Sequence, residues 1–184
     1  MRGKVIVYLA EGFEETEAIF PIDVLRRARL DVTVASCSKD LYVTSSHNVT
    51  VKADVMAEDV EGEEYDAVFL PGGMPGSSNL FHNLSVTKRC MDMDKSGKIV
   101  SAICAAPAVV LANLGILDGK KATCYPGCEE GCRKNDFLED GVVVDGNVIT
   151  GKSAAYACDL ALEIVRALLG NAMVVNVETQ LYIE

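Results

Sequence analysis

The chain has 184 residues, is 49% hydrophobic and 24% charged, and carries a formal net charge of −10 at pH 7. That length fits one domain, spanning residues 1–184, with a full core. The acid excess argues against a general binder of nucleic acid or of anionic membrane, since both need clustered Lys and Arg.

Residues 4–10 form a near-continuous apolar run, as expected of a strand buried on both faces. Glu11-Gly-Phe turns the chain, and residues 14–28 then carry helical spacing through Ala18, Ile22 and Leu25. Residues 31–36 read as a second strand and 50–52 as part of a short one. Residues 67–70 read as another buried strand, running into Pro71-Gly-Gly-Met-Pro-Gly, with a helix expected between 79 and 94. Residues 99–103 and 108–114 make a strand and a helix around Cys104. Asp145-Gly146 is a compact hairpin signal between 142–145 and 147–150. A long apolar helix is expected over 154–169, ended by Gly170. Alternating strands and helices predict an α/β fold with a mostly parallel sheet, helices on both faces, and a flavodoxin-like arrangement.

No apolar stretch reaches the ~20 residues needed to cross a bilayer. Residues 5–10 are too short for a secretory core and run into Glu11. The expectation is a cytoplasmic protein, in which the seven cysteines stay reduced.

Cys104 lies where an apolar β-branched run meets Ala105-Ala-Pro and a helix. Proline is tolerated in a first helical turn. Strand, small-residue turn and helix together form the setting of a nucleophile elbow. A thiol there lies near a helix N-terminus, where partial positive charge favours the thiolate. In open α/β sheets the ligand crevice lies beyond the carboxyl ends of the strands, and three segments converge there: 11–17, 71–76 and 104–106. Gly72 and Gly73 let backbone approach a reacting atom, and Ala105 N–H supplies a second oxyanion donor. Glu14, Glu15 and Glu17 open a helix, where acidic residues are commonly dipole partners. Any one of them could instead meet the thiol, and spacing does not choose among them.

Ala10-Glu-Gly-Phe-Glu-Glu-Thr-Glu-Ala, Pro21-Ile-Asp-Val-Leu-Arg-Arg-Ala, Tyr65-Asp-Ala-Val-Phe-Leu-Pro-Gly-Gly-Met-Pro-Gly and Ala102-Ile-Cys-Ala-Ala-Pro resemble the ThiJ/PfpI superfamily, in its DJ-one branch. The resemblance covers essentially the whole chain. It implies a flavodoxin-like three-layer sandwich, similar to class I glutamine amidotransferases, and a homodimer. It also implies a reactive cysteine at Cys104, a protonated glutamate partner at Glu17, and oxyanion backbones at Gly73 and Ala105. Such a carboxylic acid raises its own pKa and lowers that of the thiol.

Thr123-Cys-Tyr-Pro places Tyr125 where some members of the superfamily carry a histidine. The two histidines, His47 and His82, lie in other segments. His47 aligns with a polar pocket position near the dimer interface of relatives. Thr150-Gly-Lys-Ser-Ala-Ala replaces a Gly-Pro that shapes the pocket wall in close relatives, so Lys152 is expected as a cation near the mouth. The pocket set is therefore Gly72, Glu14, His47, Tyr125 and Lys152. Without an obvious Cys-His pair, proteolysis is not expected. Cys124, Cys128 and Cys132 would share one helical face, read as a small-residue surface with no metal assigned. The expected activity is cofactor-independent chemistry on a small carbonyl substrate, or redox sensing at the same thiol.

Overall fold

The computed structural model describes residues 3–132 and 135–183. The chain runs through β1 (Lys4–Leu9), α1 (Glu15–Arg27) and β2 (Asp31–Ser36), then a hairpin of β3 (Tyr42–Thr44) and β4 (Thr50–Lys52). β5 (Val55–Met56), a 3-10 turn over Ala57–Val60 and β6 (Ala67–Leu70) follow, then α2 (Gly76–His82) and α3 (Leu84–Lys95). β7 (Ile99–Ile103) enters a π-type helix over Pro107–Ala112. β8 (Lys121–Ala122), β9 (Asp136–Phe137), β10 (Val142–Asp145), β11 (Val148–Gly151), α4 (Ala157–Leu169) and α5 (Asn171–Leu181) complete the described chain.

The main sheet has the order β10-β11-β7-β6-β1-β2-β5, parallel except for the β10–β11 hairpin. Side chains alternate across a strand, and β1 shows the result. Val5, Val7 and Leu9 join a core with Leu25 of α1, Leu160 of α4 and Val177 of α5. Ile6, Tyr8 and Ala10 join the opposite core, with Leu80, Val86, Cys90 and Leu111. Both faces are thus covered, which makes three layers and accounts for the apolar runs of the central strands.

The helix expected between 79 and 94 is two helices. Asn83 breaks it in an extended conformation, and its side-chain oxygen accepts from Ser85 N and Val86 N to cap α3. The segment 50–52 pairs with β3 as a separate ribbon and does not join the main sheet. α5 packs Val174 and Val177 against the core. None of the described helices is long and apolar enough to cross a membrane.

Candidate active site

Cys104 has φ +64°, the left-handed region that a non-glycine residue occupies at a strained turn. The turn is held on both sides. Cys104 N donates to Gly151 O (2.9 Å), and Cys104 O accepts from Tyr125 N (2.8 Å). The first bond continues the parallel pairing of β7 with β11. The thiol is therefore carried past the edge of the sheet, half-buried.

α1 supplies the partner. Glu14 is its N-cap, accepting from Glu17 N at 2.6 Å. Glu14 N donates to Gly72 O (2.9 Å), fastening the start of the helix to the loop after β6. Glu17, one turn in, is 1% exposed. Its carboxylate accepts from Gly72 N (3.1 Å) and lies beside the Cys104 thiol and the backbone of Ala154, both of which favour its ionised form. Gly72 lies between the two acids: any Cβ there would collide with Glu17 Oε2 and with Cys104 Cβ. Gly73 has φ +90° and no room for a side chain against Glu14 N and Gly12 O. The backbone N–H groups of Gly73 and Ala105 lie near the Cys104 sulfur and favour its ionised form.

Burial pushes the Glu17 carboxyl up to about 7, with the Glu14 charge adding to it and the bonds from Cys104, Gly72 and Ala154 opposing it. The Cys104 thiol is also pushed up, to about 12. Burial is the largest cause, followed by the Glu17 charge, and the Gly73 and Ala105 donors oppose both. The direction differs from the expected lowered thiol pKa: desolvation and the charge of an ionised Glu17 outweigh the Gly73 and Ala105 donors. The Glu17 contribution to the thiol operates only while Glu17 is ionised. With its proton retained, Glu17 donates to sulfur, and the two N–H groups act unopposed by its charge.

The structure brings together Cys104, Glu17, Gly72, Gly73, Ala105 and Glu14. Tyr125 is joined to the elbow by its backbone, and its side chain is half-exposed. His47 lies after β3, where its Nδ1 pairs with Glu15 Oε1 at 3.0 Å, and no contact with Cys104 appears among the described residues. Lys152 is not a free cation. Its Nζ is held by Glu139 O (3.0 Å) and Glu139 Oε2 (2.8 Å), strapping the 139–141 turn to β11. Cys124, Cys128 and Cys132 lie along successive turns rather than a helix. Cys124 Sγ is 3.6 Å from Glu129 Oε2. The one cluster of metal-type ligand atoms among the described residues is Glu14, Glu15 and His47, and it contains no cysteine. Sequence reasoning missed the carbonyl of Gly151 and the N–H of Ala154, because backbone groups leave no residue-type signal.

A thiol, a carboxyl of raised pKa and two converging N–H groups at an elbow define a cysteine-centred site on a flavodoxin-like scaffold. The DJ-1/PfpI family model matches residues 3–167, and the chain belongs to that family. The Parkinson disease protein 7 homolog of Danio rerio is 36% identical over 189 residues, covering 100% of both chains. Protein DJ-1 homolog B of Arabidopsis thaliana is 36% identical over 95% of this chain, but the match spans only 40% of the plant protein. Among solved structures, oxidized Toxoplasma gondii DJ-1 superposes with a TM-score of 0.93 at 36% identity, covering 98% of each chain.

The raised carboxyl has a consequence for stability. An unfolded glutamate titrates near its ordinary 4.5 and the folded one near 7, so the folded state binds the extra proton. The advantage of the neutral carboxyl is complete below 4.5, declines as pH rises, and is lost above about 7. Glu17→Gln stays neutral throughout. Between pH 4.5 and 8, urea unfolding should show wild type losing up to about 3 kcal/mol relative to Glu17→Gln. Parallel stability curves for the two proteins would place the Glu17 proton elsewhere.

Proposed function

We propose that this site belongs to a cofactor-independent glyoxalase or deglycase-like enzyme. Its substrates would be methylglyoxal-type dicarbonyls or their early adducts with protein amines and thiols. The observation that carries the reading is the elbow thiol held between a protonatable carboxyl and two N–H donors. In the proposed reaction the Cys104 thiolate adds to the aldehyde carbon, forming a C–S bond. The carbonyl oxygen becomes an oxyanion facing Gly73 N–H and Ala105 N–H, and then takes a proton from Glu17, giving a hemithioacetal. The carboxylate of Glu17 removes the proton from the sulfur-bearing carbon and returns one to the neighbouring carbon, while the hydroxyl proton of the hemithioacetal passes to the former ketone oxygen. The aldehyde carbon is thereby oxidised to a thioester while the ketone is reduced to an alcohol. Water cleaves the thioester, releasing the hydroxy acid and the thiol. Methylglyoxal and water thus give lactate, and no external oxidant enters.

A second reading is a redox-sensing stress chaperone that uses the same sulfur. Peroxide would oxidise the Cys104 thiolate to sulfenate and then, with a second equivalent, to sulfinate, whose negative oxygens would face the Gly73 and Ala105 donors. The oxidized state named for the Toxoplasma relative favours keeping this reading.

We read the protein as a cytoplasmic homodimer. Seven free cysteines fit a reducing compartment. Ile19 and Phe20 of α1 and Val49 of the β3–β4 hairpin line one exposed groove of about 500 Å³, an apolar face suited to a second copy of this chain.

Lactate production from methylglyoxal should fall to background in Cys104→Ala, measured by enzymatic lactate assay; equal rates would remove the enzyme reading. On peroxide titration followed by mass spectrometry, Cys104 should oxidise before Cys37 and Cys158; if it lags behind either, the sensor reading fails. Phe20→Glu should convert a dimer to a monomer in size-exclusion chromatography with light scattering, and an unchanged mass would place the interface on another face.

A further inference from the structure

A cleft of about 770 Å³, which does not include Cys104, opens between the loops after β1 and β2 and the end of α2. It sits beyond the carboxyl ends of the paired strands β1 and β2. Open α/β sheets bind ligands outside that edge of the sheet. The volume lies within the ~300–1,000 Å³ of small-molecule sites.

One residue fixes the walls. The Glu11 carboxylate accepts from Ser38 Oγ (2.9 Å) and from Thr44 N (3.2 Å), while its carbonyl accepts from Asn79 Nδ2 (2.9 Å). The loop after β2, strand β3 and helix α2 are therefore tied to a single point, and the cleft is preformed.

The polar groups left over face it with both signs of hydrogen bond. His82 Nδ1 lies 2.7 Å from Ser78 O. A carbonyl only accepts, so Nδ1 carries the hydrogen and Nε2 of the neutral ring is an acceptor. Asn79 uses its amide hydrogens on Glu11 O, leaving its oxygen to accept. Asn83 uses its oxygen to cap α3, leaving its NH₂ to donate. Tyr42 lines the cleft 58% exposed, offering a hydroxyl and an aromatic face. Glu11 and Asp40 oppose the single ammonium of Lys39, which disfavours an anionic ligand. A matching ligand is uncharged, donates and accepts at several points, and has one apolar C–H face. A pyranose sugar has all three properties.

We propose that this cleft is a carbohydrate site. It takes a neutral hexose unit with its C–H face on Tyr42 and its hydroxyls shared among Asn79, His82 and Asn83. The proposal stands apart from the Cys104 chemistry.

The test is a titration of the ¹⁵N-labelled full chain, followed by amide chemical shifts. The probes are methyl glucopyranoside, methyl galactopyranoside and methyl N-acetylglucosaminide, with inorganic phosphate as the contrast. These glycosides have no free aldehyde or ketone, so they cannot form a hemithioacetal at Cys104. At least one glycoside should give saturable millimolar shifts confined to Glu11, residues 37–44 and residues 79–83. Tyr42→Ala should weaken binding about fivefold, while Tyr42→Phe retains the ring and most of the affinity. Cys104→Ser should bind as wild type does, whatever becomes of the enzyme reading. The proposal is overturned if no glycoside saturates at tens of millimolar, if phosphate alone binds, or if Tyr42→Ala binds as tightly as wild type with its spectrum otherwise intact.

Discussion

The site depends on the gap left by one missing methyl group. Glu17 and Cys104 come from different layers of the fold, and they meet because Gly72 puts no Cβ between them. The backbone that makes room also binds: Gly72 N donates to Glu17 Oε2, and Gly72 O accepts from Glu14 N. One residue thus orients the carboxyl and anchors the helix carrying it. Burial does the rest, since a carboxyl 1% exposed keeps its proton to about 7.

At neutral pH the pair faces a choice of where to put one negative charge. Each group is desolvated; the charge of an ionised Glu17 raises the pKa of the thiol, while the Cys104 thiol beside it lowers that of Glu17. The donors decide the balance. Glu17 has the Gly72 and Ala154 N–H groups, and the sulfur has those of Gly73 and Ala105. Cys104 is half-buried where Glu17 is fully buried. A ligand that brings its own electrophilic carbon to the sulfur takes up charge as it develops, at the point where the Gly73 and Ala105 donors already converge. In the proposed reaction the thiol proton, held up to about 12 beside ionised Glu17, would pass to that carboxylate as the sulfur attacks, because Glu17 is the acceptor beside it.

Much of this was legible in residue types. The apolar runs of β1, β6 and β7 report burial on both faces, and the glycines at 72 and 73 report a close approach. The resemblance singled out Glu17 from three neighbouring glutamates, which spacing alone could not do. The structure supplies a physical reason: Glu14 caps the helix and Glu15 pairs with His47, leaving Glu17 one turn in and facing the core. Illegible parts share a cause. Lys152 was expected as a free cation at the mouth, but its partner Glu139 lies across a turn in sequence no motif describes. The break at Asn83 depends on a side-chain cap replacing a helical bond, and apolar periodicity does not see it. β5, β8 and β9 are two residues each, too short for any period.

The loop after β1 serves two regions at once. Glu11 faces the polar cleft and ties its three walls, while Glu14, three residues on, fastens α1 to the loop carrying Gly72. Between them the backbone is bonded throughout: Gly12 N to Thr44 O, Gly12 O from Gly76 N, Phe13 N to Ala10 O, and Phe13 O from Ser46 N. Gly12 has φ +82° and its Cβ position is filled by the Pro75 ring, so no other residue fits there without shifting Pro75. A segment bonded at every position holds its place well. The cleft and the thiol are consequently two fixed sites built on the two sides of one rigid loop.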